Sequence, residues 1–312
     1  MKNNNLKKRS SLAETLSKDF QQNKYKYLLI LPVLAYFIIF CYKPMYGLVI
    51  AFQDFRANLG ISRSEWVGLR QFKTFFGDPY FFRLLRNTLS ISFLNIIFGF
   101  PAPIILALLL NEIKNVAFKR TVQTITYMPY FISMVVVASL IRVYTTGDGI
   151  FSQIAIHFGG TGKSYLMYSQ YFYPIYVISD IWQHIGWNSI IYLAALAGID
   201  QEQYEAAIID GAGRFRRMLS VTLPNLLPII MVLFILRMGG ILNVGFEKII
   251  LLYNPNIYQV SDVISTFVYR RGIQDAAYSY ATAVGLFNSV VNIVFLVAAN
   301  SLSRRFTDSS LY

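Results

Sequence analysis

Gly198-Ile199-Asp200-Gln201-Glu202-Gln203-Tyr204-Glu205-Ala206-Ala207-Ile208-Ile209-Asp210-Gly211-Ala212-Gly213-Arg214-Phe215-Arg216-Arg217-Met218-Leu219-Ser220-Val221-Thr222-Leu223-Pro224 is the stretch on which the reading turns. It predicts two short helices joined by a sharp turn. Asp200 has the side chain of an N-cap, and Glu202 and Glu205 lie near the positive end of the helix it would start. Gly211 and Gly213 permit the positive φ that such a turn requires. Arg214, Arg216 and Arg217 open the second helix, and Pro224 suits the first turn of a further one. The segment 200–223 is therefore a helix–turn–helix knob offering a carboxylate, small residues and a basic flank.

Outward from the knob the chain is apolar on both sides. Of 312 residues, 55% are hydrophobic and 14% charged, with a mean hydropathy of +0.46. So little charge does not cover a water-soluble surface of this size, and a bilayer is the implied solvent. Crossing its hydrocarbon core takes about 20 largely apolar residues. Six stretches qualify: Tyr27–Phe52, Leu84–Leu110, Thr121–Tyr144, Tyr173–Ile199, Pro224–Phe246 and Ser279–Ser303. Lys43-Pro44 interrupts the first, and Gly99, Pro101 and Pro103 predict a bend in the second. The expected fold is all-α: a polytopic membrane protein with six transmembrane helices and the knob between the fourth and fifth. Its parts are a basic N-terminal tail (1–26), the six-span domain (27–303) and a short C-terminal tail (304–312).

The net charge of +12 reads as membrane topology, not as nucleic-acid binding. With both termini on one side, that side carries 15 Lys/Arg in 69 residues, and the other carries 9 in 91. The denser side is expected to be cytoplasmic, which places both termini and the knob inside. A single cysteine, Cys41, leaves no disulfide framework and is read as packing. The apolar run starting near Tyr27 is too long for a secretory signal and lacks a small-residue cleavage site. The tail before it fits either a flexible arm or an amphipathic interfacial helix.

The knob resembles the coupling segment of binding-protein-dependent ABC importer permeases, whose pattern is Glu-Ala-Ala, three residues, Gly, nine residues, Ile-x-Leu-Pro. Here Glu205-Ala206-Ala207 precedes Ile208-Ile209-Asp210 and Gly211, and nine residues later come Val221-Thr222-Leu223-Pro224. Val for Ile is the one departure. Pro44-Met45-Tyr46-Gly47, Asn87-Thr88-Leu89, Gly99-Phe100-Pro101-Ala102-Pro103 and Ser179-Asp180-Ile181-Trp182 leading to Gly186-Trp187 resemble the oligosaccharide-type branch of that family. The resemblance implies a non-catalytic subunit in the cell membrane of a Gram-positive bacterium. It implies a second homologous permease as heterodimer partner, two cytoplasmic ATPase subunits that hold ATP and Mg, and an extracellular lipid-anchored solute-binding protein. It assigns ATPase coupling to Glu205, Ala206, Ala207, Asp210, Gly211, Gly213, Leu223 and Pro224, with no cofactor on this chain.

For the pathway the sequence offers candidates. Asp180, His184 and Arg237 fall at membrane depth, where ionisable groups are costly and face a cavity or a partner. Asp180 and His184 are four apart on one helix face, and Trp187 is close to it. Carboxylates and imidazoles bond sugar hydroxyls, and indole stacks on pyranose rings. The same residues serve interhelical bonding, which is the preferred reading. Asn188, Asn243, Asn288 and Asn292 present the same choice. Phe72, Phe75, Phe76, Phe81, Phe82 and Trp66 form either a docking surface or packing over the bundle. His157–Ser164 imitates a phosphate-binding loop but has His where Gly is needed, so it reads as a flexible glycine-rich loop.

The function expected is the permease of an ATP-driven importer for oligosaccharides or related glycans. A permease of the same class for a non-sugar solute is one alternative. An ion-coupled secondary transporter is another, but no internal repeat is visible and the knob would have no role in it. A membrane enzyme would need more than two lone histidines, His157 and His184, and no metal centre is expected.

Overall fold

The protein is described by a computed structural model covering residues 12–306. Residues 1–11 of the expected N-terminal tail and 307–312 of the C-terminal tail lie outside the described residues. Helix dominates. Among the described residues the strands are one antiparallel pair, β1 (Gln53–Asp54) with β2 (Glu65–Trp66), in register Gln53 opposite Trp66.

Among the described residues four helices are long and apolar enough to cross a membrane: α1 (Asp19–Phe52), α2 (Phe81–Glu112), α7 (Arg214–Met238) and α9 (Tyr278–Arg304). The bent pair α3 (Val116–Phe131) and α4 (Met134–Tyr144) makes a fifth crossing if taken as one span. The fourth expected span, Tyr173–Ile199, is α5 (Ser169–Ala197), 29 residues long and centred on polar Asp180, Gln183, His184 and Asn188. Between the spans lie α6 (Gln201–Ile209), which is the first helix of the knob, and α8 (Phe246–Leu252).

Three departures from the expected spans have local causes. The third span is not straight: the helix turns by 100° between Phe131 and Met134. Pro129 tightens its last turn to a 3-10 helix, Ile132 is extended, and the Ser133 hydroxyl caps the next helix by accepting from Val136 N–H at 3.4 Å. The fifth span ends at Met238, and Gly239–Gly245 is not helical. It also begins earlier than expected, because the second helix of the knob runs into it without a break. Pro224 is therefore inside a helix and does not open one.

That helix survives its proline by a device used three times. A proline leaves the carbonyl four residues earlier without its donor. Before Pro224 the backbone widens into a π-turn over Met218–Thr222, in which Leu223 N–H bonds Met218 O. Asn95–Gly99 does the same before Pro101, with Phe100 N–H donating to Asn95 O at 2.8 Å, and Phe37–Tyr42 before Pro44. The expected interruption at Lys43-Pro44 is thus a π-turn within a continuous helix.

Buried apolar clusters join α2, α4, α5 and α8; α2, α9 and the stretch 239–245; and α2, α5 and α7. The phenylalanine group divides: Phe75 is buried against Phe81, Tyr280 and Phe287, whereas Phe82 and Trp66 are exposed. By contrast, none of the most apolar stretch of α1 is buried within the chain. Cys41 lies on it and is exposed, so the packing expected of it is not found here. The glycine-rich segment after His157 is a loop closed by Ser152, whose hydroxyl donates to Lys163 O at 2.7 Å.

Candidate functional site

The knob is built by its own residues. The Asp200 carboxylate accepts from Glu202 N–H at 3.0 Å and starts α6. At the other end Gly211 takes φ +75°, and Ala212 N–H reaches back to Ala207 O at 2.9 Å. Gly213 differs from expectation: its φ of −64° needs no glycine, and it is the extended residue that begins α7. Side chains then lash α6 to α7. The Tyr204 hydroxyl meets Thr222 Oγ1 at 3.1 Å, and Asn225 donates to Gln203 Oε1 at 2.8 Å. Two helices held at both ends of their contact move as one piece.

The outer face of this piece is exposed at Glu205, Ala206 and Asp210, with Ala207 half-buried. Leu223 and Pro224 sit apart from that face, in the body of α7. Beside the carboxylates stand two apolar side chains that sequence reading passed over, Ile209 at 85% exposure and Phe215 at 70%. Large apolar groups held in the open next to charge are the makings of a protein-docking face. Their signal was present in the sequence, since Ile208-Ile209 follows Glu205-Ala206-Ala207 without a core-facing partner four residues on.

Within the bundle a cavity of about 710 Å³ lies between α2, α5, α7 and the non-helical stretch 239–245. Asp180, His184, Trp187 and Asn188 line it from α5, Arg237 from α7, and Asn243 from the stretch beyond. Asn95 and Gly99 contribute the π-turn of α2 to the wall. Irregular backbone is tolerated at this depth where it faces such a cavity.

Asp180 and His184 do meet, with His184 Nδ1 3.5 Å from the carboxylate and 3.0 Å from the Asp180 carbonyl. Asp180 also has a partner the sequence did not reveal. Lys248 on α8, fully buried, places Nζ 3.4 Å from Asp180 Oδ1 and donates to the Tyr176 carbonyl at 3.0 Å. Trp187 stacks on Tyr130 from the bend between α3 and α4, centroids 4.4 Å apart and planes 3° from parallel. Asn243 takes bonds on Oδ1 from Asn288 at 2.9 Å and Asn292 at 3.3 Å, and Asn292 accepts from Leu242 N–H. Asn288 thus stands behind Asn243, bonding α9 to the cavity wall, and does not line the space.

Comparison with known proteins agrees with this architecture. Residues 99–308 match the family described as the inner membrane component of binding-protein-dependent transport systems. Protein LplB of Bacillus subtilis is 49% identical over 94% of this chain and 92% of its own length. The polygalacturonan/rhamnogalacturonan transport system permease protein YteP of the same organism is 46% identical over 93% and 91%. A bacterial ABC transporter that imports the acidic polysaccharide alginate has a chain of the same fold, with a TM-score of 0.88 and 43% identity over 94% of this chain and all of that one. The chain therefore belongs to the binding-protein-dependent inner membrane component family, as a polytopic, non-catalytic permease subunit.

Proposed function

We propose that the chain forms, with a second permease of similar fold, the translocation pathway of an importer for oligosaccharides, and couples it through the knob to two separate ATPase subunits. The observation that carries the reading is one rigid helix, α7, with the exposed knob at one end and the lining of a polar, aromatic cavity at the other. The glycan names of the relatives support sugars as cargo. A cavity with Trp187 held in a ring stack and Asp180, His184 and Asn188 on its wall has the groups that hold a pyranose: an apolar face and bonding edges.

The knob's exposed Glu205, Ile209 and Phe215 fit a groove on an ATPase, with Glu205 meeting a basic residue there. ATP and Mg belong to that subunit. The bare apolar face of α1 is suited to the second permease and the surrounding lipid. In this reading the knob and both termini face the cytoplasm of a Gram-positive cell, and a lipid-anchored binding protein delivers cargo from outside. Energy enters as a population shift, because ATP binds the outward-facing assembly better than the inward-facing one.

The test is gentle affinity purification followed by assay of the co-purified subunits. A second permease and an ATPase should accompany the chain, and Glu205→Ala should abolish transport while leaving the helices folded. Normal uptake by Glu205→Ala removes the assignment of Glu205. A lone chain that sustains uptake removes the importer reading in favour of an ion-coupled carrier.

A further inference from the structure

The charges around the cavity do not cancel, and the imbalance is specific. Asp180 is the one carboxylate among the lining residues, and it is already answered by Lys248 at 3.4 Å and His184 at 3.5 Å. Arg237 lines the same space and is exposed to it, yet none of the ion pairs among the described residues includes it. Its neighbours on the wall, Leu233, Leu236, Asn243 and Gly245, carry no charge. With Asp180 and Lys248 cancelling, the guanidinium charge of Arg237 is left over.

Its depth makes that charge consequential. Gly239, two residues beyond Arg237, packs against Leu296, which lies 18 residues into α9, about 27 Å from Tyr278 and about 12 Å from Arg304. Arg237 thus lies within the membrane-crossing length of the bundle, towards the Arg304 end of α9. An arginine there is costly, and it has no escape by losing its proton. A charge kept without a protein partner is available to the cargo. The planar fork of a guanidinium matches a carboxylate with two parallel bonds, whereas a hydroxyl uses only part of it.

Resting on the glycan reading above, we propose that Arg237 is the carboxylate-recognising residue of the cavity, and that the cargo is an oligosaccharide of uronic acids. Asp180, held by Lys248 and His184, leaves the carboxylate free to approach Arg237 without facing an uncompensated negative charge. Trp187 supplies the ring-stacking surface on the same wall. The division of labour is chemical: the aromatic group accepts any pyranose, and Arg237 selects the acidic one.

The test uses the assembled permease pair and ATPase in lipid nanodiscs, without the external binding protein, so that the cavity alone reads the ligand. Trigalacturonate and its carboxyl-reduced counterpart, neutral galactotriose, are compared by equilibrium dialysis at low ionic strength. A charge-assisted bond predicts a preference of about 10- to 100-fold for the acidic sugar. Arg237→Gln should bring the two affinities within about threefold by weakening the acidic ligand alone. Arg237→Lys should retain part of the preference, and unchanged galactotriose binding shows that the cavity in each variant is intact. A wild-type ratio near one, or a preference that survives in Arg237→Gln, overturns the proposal while galactotriose binding keeps the glycan reading. Binding of neither sugar overturns both.

Discussion

Removing the ammonium of Lys248 tests the charge arrangement of the cavity most directly. Its Nζ has two protein oxygens, Tyr176 O at 3.0 Å and Asp180 Oδ1 at 3.4 Å, and lies 4.7 Å from the Tyr176 ring centroid. At 3.4 Å and an effective dielectric of about 20, the gross attraction of the pair is about 5 kcal/mol. Desolvation of a fully buried ammonium consumes much of this. Asp180, at 27% side-chain exposure, recovers water from the cavity when its partner leaves. Lys248→Met, which keeps the stem and drops the charge, should therefore cost about 2 kcal/mol. Asp180→Asn should cost more, about 3–4 kcal/mol, because it strands a buried cation. The double variant Asp180→Asn/Lys248→Met should stand near Lys248→Met alone, a coupling of about 3–4 kcal/mol, equal to the cost of Asp180→Asn by itself. Thermal unfolding in nanodiscs at one fixed scan rate reads these as downward shifts, at about 2 °C per kcal/mol for a chain of this size. If the shift of the double variant equals the sum of the singles, the two charges do not act as a pair. The argument that Arg237 is the uncompensated charge of the cavity, which is built on that pair, then fails.

Two further perturbations probe the scaffold. A Cβ on Gly186 would stand 2.1 Å from the Thr126 carbonyl oxygen, so Gly186→Ala should part α5 from α3 and cost about 1–3 kcal/mol, while Gly198→Ala, with 3.5 Å to its nearest neighbour, should melt as wild type does. Asp262, 1% exposed, accepts from Arg270 at 2.6 Å and Thr266 at 2.8 Å and faces Arg83 at 3.9 Å; Asp262→Ala strands two guanidinium groups that retain some water, and a loss of about 2–3 kcal/mol is expected in the same melting assay.

How much the sequence disclosed depended on how far apart the partners were. Asp200, Glu205 and Gly211 act within a dozen residues, through capping, a helix terminus and one positive φ, so the knob was readable. Asp180 and His184 are one helical turn apart, and their contact follows from the period alone. Lys248 was hidden because it is 68 residues from Asp180 in a stretch that reads as an external loop. Its ion pair exists only once α8 folds back against α5. The bend at Ile132 was missed although its signals, Pro129 and Ser133, were in view, because the apolar run around them is long enough for one straight span. Gly213 shows the reverse error: a glycine was credited with a special conformation where ordinary extended backbone serves. The π-turns were invisible for a different reason. A proline announces a lost bond, but whether the helix breaks or widens is settled by the neighbours that hold the helix in place on either side.

That last distinction decides how the knob reaches the cavity. Had Pro224 broken the chain into a knob helix and a separate span, motion of Glu205 would have been absorbed at the joint. The π-turn over Met218–Thr222 keeps Arg214–Met238 continuous, 25 residues or about 37 Å, from the exposed Phe215 to the cavity-lining Arg237. Because Tyr204 ties α6 to the last residue of the π-turn, Thr222, and Gln203 ties it to Asn225 beyond, a push on α6 is delivered along α7 and not into the Gly211 turn. At the other end, the chain leaves the helix at Gly239 and is fixed within four residues by Asn243 and Leu242 to Asn288 and Asn292 of α9. The short free stretch between Met238 and that anchor is where tilting of α7 must be taken up. Arg237 and Asn243 line the cavity on either side of it. A rigid arm ending in a pivot at the cavity changes the separation of those two groups whenever the knob moves, and in the assembly proposed above this is the route by which closure of the ATPases would release the cargo.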